Sequence, residues 1–167
     1  PRLPGDDASC QNLYKPSQPQ ILGVTPQMIA YFDQADLAAR FAFSASASQT
    51  VEEKANPWRL LANRGEGSDE PIPMILDQNT AMYSLRLYGG IGQEYEVSFS
   101  DGRTVKFRVA GLLKNSVLQG NLLIGEADFQ RLFPQVSGYR SFLVRCPPSK
   151  ADQVAGPRPL GGRTEDP

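Results

Sequence analysis

The sequence contains no histidine and only two cysteines in 167 residues. Without histidine the chain cannot build Ser-His-Asp or Cys-His arrangements for activating a nucleophile, nor zinc sites with imidazole ligands. Two cysteines cannot supply the four thiolates of an all-cysteine zinc site. These absences exclude the commonest nucleophilic and zinc-dependent classes of enzyme.

The sequence also lacks a basic excess and a long apolar run. Lys and Arg total 17 against 18 Asp and Glu, so the net charge is -1 and nothing marks a surface for a phosphate backbone. We therefore expect no nucleic-acid partner. No apolar run reaches the roughly 18 residues of a membrane span. A signal peptide and an initiating Met are absent too, and we interpret Pro1 as a cut end, as in a soluble piece excised from a larger membrane protein.

The residues that are present favour a globular fold. Apolar residues make up 40% of the chain and charged residues 21%, which is enough to bury a core. Strand-like and helix-like segments mix irregularly, so we predict an α+β fold with a mixed or antiparallel sheet and short helices packed on one side. The fold has one lobe or two. We expect an extended lead-in over 1–19, a core domain over 20–148 and a flexible tail or linker over 149–167.

Apolar periodicity, together with caps and breakers, predicts the individual elements. Outside one hairpin, the predicted strands are 20–24, 72–76, 122–124 and 139–145. In the last strand, Phe142, Val144 and Cys146 mark the core face. The predicted helices are 26–32, 78–87 and 126–133.

Residues 95–109, YEVSFSDGRTVKFRV, predict a β-hairpin whose loop length follows from its two faces. A two-residue Asp101-Gly102 loop would place every apolar residue opposite a polar one. A three-residue loop over 100–102, a type I turn followed by left-handed Gly102 in a G1 bulge, makes both faces consistent. The apolar pairs are then Val97–Val105 and Tyr95–Phe107, and the charged pairs are Glu96–Lys106 and Glu94–Arg108.

Candidate chemical sites are few. The acidic pairs Asp6-Asp7 and Asp69-Glu70 lie on predicted loops and are typical of solvated carboxylates rather than of a cation site. The Gly90-Ile91-Gly92 feature favours termination of the preceding helix over a phosphate cradle, because no strand leads into it and no helix follows. Trp58 is interpreted as an anchor of its loop against the core. We assign no catalytic, cofactor or metal site.

The segment LLKNSVLQGNLLI, residues 112–124, carries the apolar pair Val117-Leu118 between polar residues. Two interpretations remain open. The segment is either a crossover loop whose apolar pair contacts the core, or an exposed apolar tip that grips a protein partner. The rarity of exposed apolar patches favours the first.

The order of these features resembles a known family. YGGIG precedes a strand, the hairpin DGRTVKFRVAGLLKNS, the segment LQGNLLIGEADFQRLFP and a closing SGYRSFLVRC. This is similar to the MacB-like periplasmic core domain of FtsX-like ABC transporter permeases. The matching positions are Phe107, Val109, Gly111, Leu112, Leu113, Leu122 to Ile124 and Phe129 to Phe133. The strong likeness covers residues 72–146, and QPQILGVTPQMIAYF adds a weaker one.

The resemblance implies a noncatalytic domain inserted between the first two transmembrane helices of a permease, on the extracytoplasmic side of the membrane. A separate ABC ATPase subunit or domain would hydrolyse ATP, and this chain contains no P-loop. The full-length protein would be membrane-embedded and dimeric, and its outer domain would contact an extracytoplasmic protein partner. The alternatives are a free-standing secreted binding or adhesion module and, with less support, a carboxylate-based hydrolase.

Cys10 and Cys146 lie near opposite ends of the predicted core, and in an oxidising compartment they could close a long loop. Two unpaired thiols are the alternative. If the pair is bonded, non-reducing mass spectrometry of protein prepared under oxidising conditions will find one peptide linking Cys10 to Cys146. Recovery of two free thiols from the same preparation would contradict the bond.

Overall fold

One mixed β-sheet joins the strands in the computed structural model, which describes residues 2–3, 19–34, 41–62, 70–99, 101–136 and 138–139. The strands are β1 (Arg2–Leu3), β2 (Gln20–Val24), β3 (Phe43–Ser46), β4 (Ile72–Asp77), β5 (Glu94–Ser98), β6 (Thr104–Leu113) and β7 (Asn121–Gly125). The helices are α1 (Pro26–Tyr31), α2 (Val51–Ala55), a 3-10 helix (Pro57–Leu61), a π-helical turn (Thr80–Ser84) and α3 (Glu126–Leu132). The predicted α+β class with a mixed sheet is confirmed.

The sheet has the strand order β1-β2-β7-β4-β6, and β6 has two further partners. β2 runs parallel to β7 and β4 runs parallel to β6, whereas β4 and β7 are antiparallel. β4 occupies one edge of β6 from Phe107 to Leu113. The antiparallel strands β5 and β3 therefore share the other edge, β5 beside the first half of β6 and β3 beside its last three residues.

Helices cover both faces of the sheet, not the one side that we predicted. Neighbouring residues of β7, Leu122 and Leu123, enter opposite cores. Phe129 and Phe133 of the α3 region fill the first, and Ile29 of α1 fills the second beside the 3-10 helix. We call these the α3 core and the Trp58 core. β4 and β7 carry consecutive apolar residues, which is the pattern of strands buried on both faces. The prediction of helices on one side did not take this pattern into account.

A bulge at Ala110 sets which residues of β6 face each core. Met74 of β4 pairs with Val109, and the next residue, Ile75, pairs with Gly111, so Ala110 has no partner in that register. The extra residue shifts the alternation between faces by one position. A side chain at Gly111 would be crowded, because a Cβ there would lie 3.0 Å from the Phe43 ring and 3.1 Å from Ile75.

Buried Asn56 connects α1 to the 3-10 helix. Its Nδ2 donates to the carbonyl oxygen of Ile29 and to Oδ1 of Asp33, each at 2.8 Å. Asp33 also accepts two hydrogen bonds from the Arg59 guanidinium, which hold the pKa of this carboxyl below its usual value. Trp58, predicted as an anchor, is 2% exposed and stacks on Phe32 at 5.9 Å between ring centroids.

The predicted register of the β5–β6 hairpin is confirmed at every pair. Tyr95 lies opposite Phe107 and Val97 opposite Val105, while both charged pairs form salt bridges on the other face. The Phe99 carbonyl accepts from the Gly102 amide at 3.0 Å, and the Phe99 amide donates to the Arg103 carbonyl. Gly102 has φ of +82°, the left-handed conformation that the G1 bulge requires.

The segment after β4 departs from the predicted helix over 78–87. Its regular turn is π-helical, and the Leu85 amide donates to the Thr80 carbonyl at 3.0 Å. Arg86, with φ of +57°, ends the turn before the glycines. The apolar spacing was compatible with a longer helix, but burial of Leu87 in the α3 core requires the chain to turn inward earlier. Gly90 and Gly92 are left-handed within the following loop.

Replacing Gly102 tests the hairpin turn. A Cβ at this position meets no atom within 4 Å, so backbone conformation alone sets the cost of a side chain. We expect Gly102→Val to lower the free energy of unfolding by about 1–2 kcal/mol, since β-branched residues are poor in this conformation. Gly102→Asn, which tolerates it, should cost less. Equal urea-denaturation midpoints for the two variants would argue against the left-handed turn.

Candidate functional site

The loop between β6 and β7, residues 114–120, contains the apolar pair Val117-Leu118, for which the sequence left a core contact and a partner contact open. It leaves the sheet beside the end of β4, because Asp77 pairs with Leu113 across the parallel strands. The π-helical turn follows β4 at the same end. The two segments, residues 78–84 and 114–120, together form what we call the loop–turn surface.

A fully buried carboxyl group fixes the start of the loop. Asp77 is 0% exposed, and its Oδ2 accepts a hydrogen bond from the Ser116 amide at 2.7 Å. Its Oδ1 accepts from the Asn79 amide at 2.9 Å. The Asp77 side chain thus bonds to the backbone just before the π-helical turn and to the backbone of the loop at Ser116. Both of its carboxyl oxygens have hydrogen-bond partners.

A second buried side chain fixes the end of the loop. Thr80 is 3% exposed, and its hydroxyl oxygen accepts from the Gly120 amide at 2.9 Å. Within the loop, the Leu118 amide donates to Oγ of Ser116 at 3.0 Å. Asn121 Nδ2 donates to the carbonyl oxygens of the two loop residues before Gly120, at 3.2 and 3.0 Å. The loop backbone is therefore held at both ends and across its middle.

The apolar pair divides between core and solvent. Leu118 is 8% exposed and belongs to the Trp58 core, so it anchors the loop from below. Val117 is 82% exposed. Asn115 and Gly120 take left-handed φ of +51° and +78°, which turns the backbone sharply on either side of the pair. Leu118 therefore makes the core contact of the first interpretation, whereas Val117 is exposed at the tip of the loop.

Tyr83 adds a second exposed apolar side chain to the loop–turn surface. It lies in the π-helical turn and is 73% exposed, whereas Thr80 and Ala81 of the same turn are buried. π-helical turns occur often at functional sites because they redirect side chains out of the regular helical spacing. The surface thus combines a tyrosine and a valine, both held outward by backbone segments with buried polar anchors.

Most of the remaining candidates lie outside the part of the chain that the structure describes. Cys10, Cys146, Phe142 and Val144 lie outside the described residues, as do Asp6, Asp7 and Asp69. Glu70 is exposed at the start of a described segment. Within the described part of the chain, no group of three His, Cys, Asp or Glu side chains is placed to hold a metal ion. Gly90 and Gly92 belong to a loop that leads toward β5, and no helix opens after them.

Sequence reasoning missed the roles of Asp77 and Thr80 in holding the loop. The segment DQNT suggested only the start of a helix, and Asp77 does bond to Asn79 in that way. A signal was available in the sequence, because Asp77 directly follows five apolar or proline positions of a central strand. A carboxyl group at the end of such a strand is buried and must accept hydrogen bonds from nearby backbone.

None of the helices described is long and apolar enough to cross a membrane. Comparison of the chain with protein-family models, curated proteins and solved structures found no match.

Asp77→Asn tests whether the buried carboxyl holds the loop. An amide can accept from one of the two backbone donors, but its NH2 group then faces the other. We expect a loss of about 1–3 kcal/mol in the free energy of unfolding, the usual cost of an unsatisfied buried group. Amide hydrogen exchange at Ser116 should become faster.

The matched control is Asp101→Asn, since Asp101 also accepts a backbone hydrogen bond but lies on an exposed turn. It should change stability by only a few tenths of a kcal/mol and leave exchange at Ser116 unchanged. Equal effects of the two substitutions would refute the holding role of Asp77.

Proposed function

We propose that this chain is a noncatalytic extracytoplasmic domain of an ABC transporter permease. It couples the cycle of a separate ABC ATPase to the handling of a substrate or protein partner outside the membrane. It acts through conformational change and protein–protein contact. The full-length protein is membrane-embedded and dimeric.

The observation that carries the proposal is that the motif positions of the resemblance coincide with the central elements of the fold. Phe107, Val109 and Leu112 of β6 lie in the α3 core, with 0%, 1% and 8% exposure. The LLI segment is β7, and the Phe-containing helix is α3. The matching apolar positions thus belong to the packed interior on the two faces of the sheet, and the same residues supply the resemblance.

The geometry of the loop–turn surface supports a binding rather than a chemical role. Asp77 is the fully buried acid beside this surface, and both of its carboxyl oxygens accept hydrogen bonds from backbone amides. The exposed side chains are Val117 and Tyr83, which bring contact area rather than reactive groups. A domain that transmits movement needs such contacts on a stiff support, and the doubly covered sheet supplies one.

Cysteine labelling in cells tests the location on which the proposal depends. Cys10 and Cys146 are replaced by Ser in the full-length protein, and Gln119→Cys places one thiol on the exposed loop. We expect a membrane-impermeant maleimide to label this thiol in intact cells, with the protein in the membrane fraction. Leu123→Cys, at a position 2% exposed, is the control and should be labelled only after denaturation.

Two outcomes would contradict the proposal. Labelling of Gln119→Cys only after the cells are permeabilised would place the domain in the cytoplasm. Recovery of the labelled protein in the medium, free of membranes, would favour the alternative of a secreted binding or adhesion module.

A further inference from the structure

We infer that the loop–turn surface is a docking site for a protein partner whose contact face carries carboxylates around an apolar pocket. Val117 is the side chain that enters the pocket, and Lys114 pairs with a carboxylate at its rim. This inference rests on the proposed function, since it names the chemistry of the partner handled outside the membrane.

Charge at this surface is of one sign and unpaired. Most cations of the described residues form salt bridges with neighbouring carboxylates: Arg59, Arg103, Lys106, Arg108 and Arg131. Lys114 of the loop and Arg86 just beyond the turn are exposed and form no ion pair with any residue that the structure describes. Neither segment contains an acidic residue, and Asp77, which adjoins the turn, is buried. The surface therefore complements a negatively charged partner.

The apolar side chains of the surface are exposed on a backbone that is already held in place. Val117 is 82% exposed on a backbone that Asp77 and Thr80 hold at both ends. Little conformational entropy is lost when a side chain on such a loop enters a pocket. Tyr83, at 73% exposure on the adjoining turn, is of a residue type that is enriched in protein interfaces.

Two other occupants fit these observations less well. A two-fold contact between copies of this chain would place Lys114 and Arg86 of one copy against the same cations of the other. A membrane surface would gain about 1 kcal/mol from each cation and little from one valine and one tyrosine, which is too weak for stable attachment. A protein pocket can bind the Val117 side chain and pair with Lys114 at the same time.

The chain contains a matched control for both residues. Val51 and Lys54 of α2 are also three positions apart and exposed, and Val51 is 78% exposed. Lys54, like Lys114, forms no ion pair with any described residue. Any general effect of an exposed valine beside a free lysine should therefore appear at both places.

Photo-crosslinking from the two valine positions tests the inference. Val117→benzoylphenylalanine and Val51→benzoylphenylalanine are made in the full-length protein and irradiated in intact cells. We expect a protein adduct from position 117 and none above background from position 51. Lys114→Glu should reduce the adduct by about tenfold, corresponding to 1.4 kcal/mol, and Lys54→Glu should leave it unchanged.

A charge exchange then tests the chemistry of the partner. Mass spectrometry identifies the crosslinked peptide of the partner, and its carboxylate nearest the adduct is changed to Lys. We expect this change to reduce the adduct with wild-type Lys114 and to restore it with Lys114→Glu. An adduct that is a second copy of this chain or a lipid would overturn the inference, as would equal yields at both valines or insensitivity to charge.

These results are separable from those of the labelling experiment. A charge-dependent adduct from a domain that labels only in permeabilised cells would preserve the docking site and refute the extracytoplasmic location. Extracellular labelling without a specific adduct at position 117 would do the reverse. Matching melting temperatures of the Lys114→Glu and Lys54→Glu proteins would show that a lost adduct reflects binding rather than unfolding.

Discussion

Burial of the central strands on both faces is the constraint on which the other features depend. Pro73 is the one residue of β4 that is not buried, and in β7 every residue after Asn121 is buried. Such strands are stable only with an apolar layer above and another below. The α3 core and the Trp58 core are those layers, and β6 contributes to both, with the bulge at Ala110 setting which of its residues face each core.

The same constraint explains why the loop–turn surface is stiff. β4 ends in the interior, so the carboxyl group of Asp77 cannot reach water and takes its partners from the backbone of the two segments that emerge beside it. Leu118 returns the loop to the Trp58 core. The backbone that carries the exposed tip is thus held by the same buried groups that complete the interior.

The sequence was sufficient where the determining interactions are local. A three-residue loop makes both faces of the hairpin agree and a two-residue loop does not, and so its register could be predicted in full. The helix after β4 was mispredicted because its end depends on burial of Leu87, a tertiary contact that competes with apolar periodicity. The division between Val117 and Leu118 was also beyond the sequence, since two adjacent apolar residues in a loop do not indicate which one faces the core.

The single tryptophan gives the fold an optical property. Trp58 packs among Phe32, Phe41 and Phe43 in one layer, and the other layer contains no tryptophan. Emission excited selectively from indole therefore reports on only one side of the sheet. An event that loosens α3 while leaving the 3-10 helix in place would be silent in that signal and visible in tyrosine or far-ultraviolet spectra. The two halves of the interior can be followed separately in the unmodified chain.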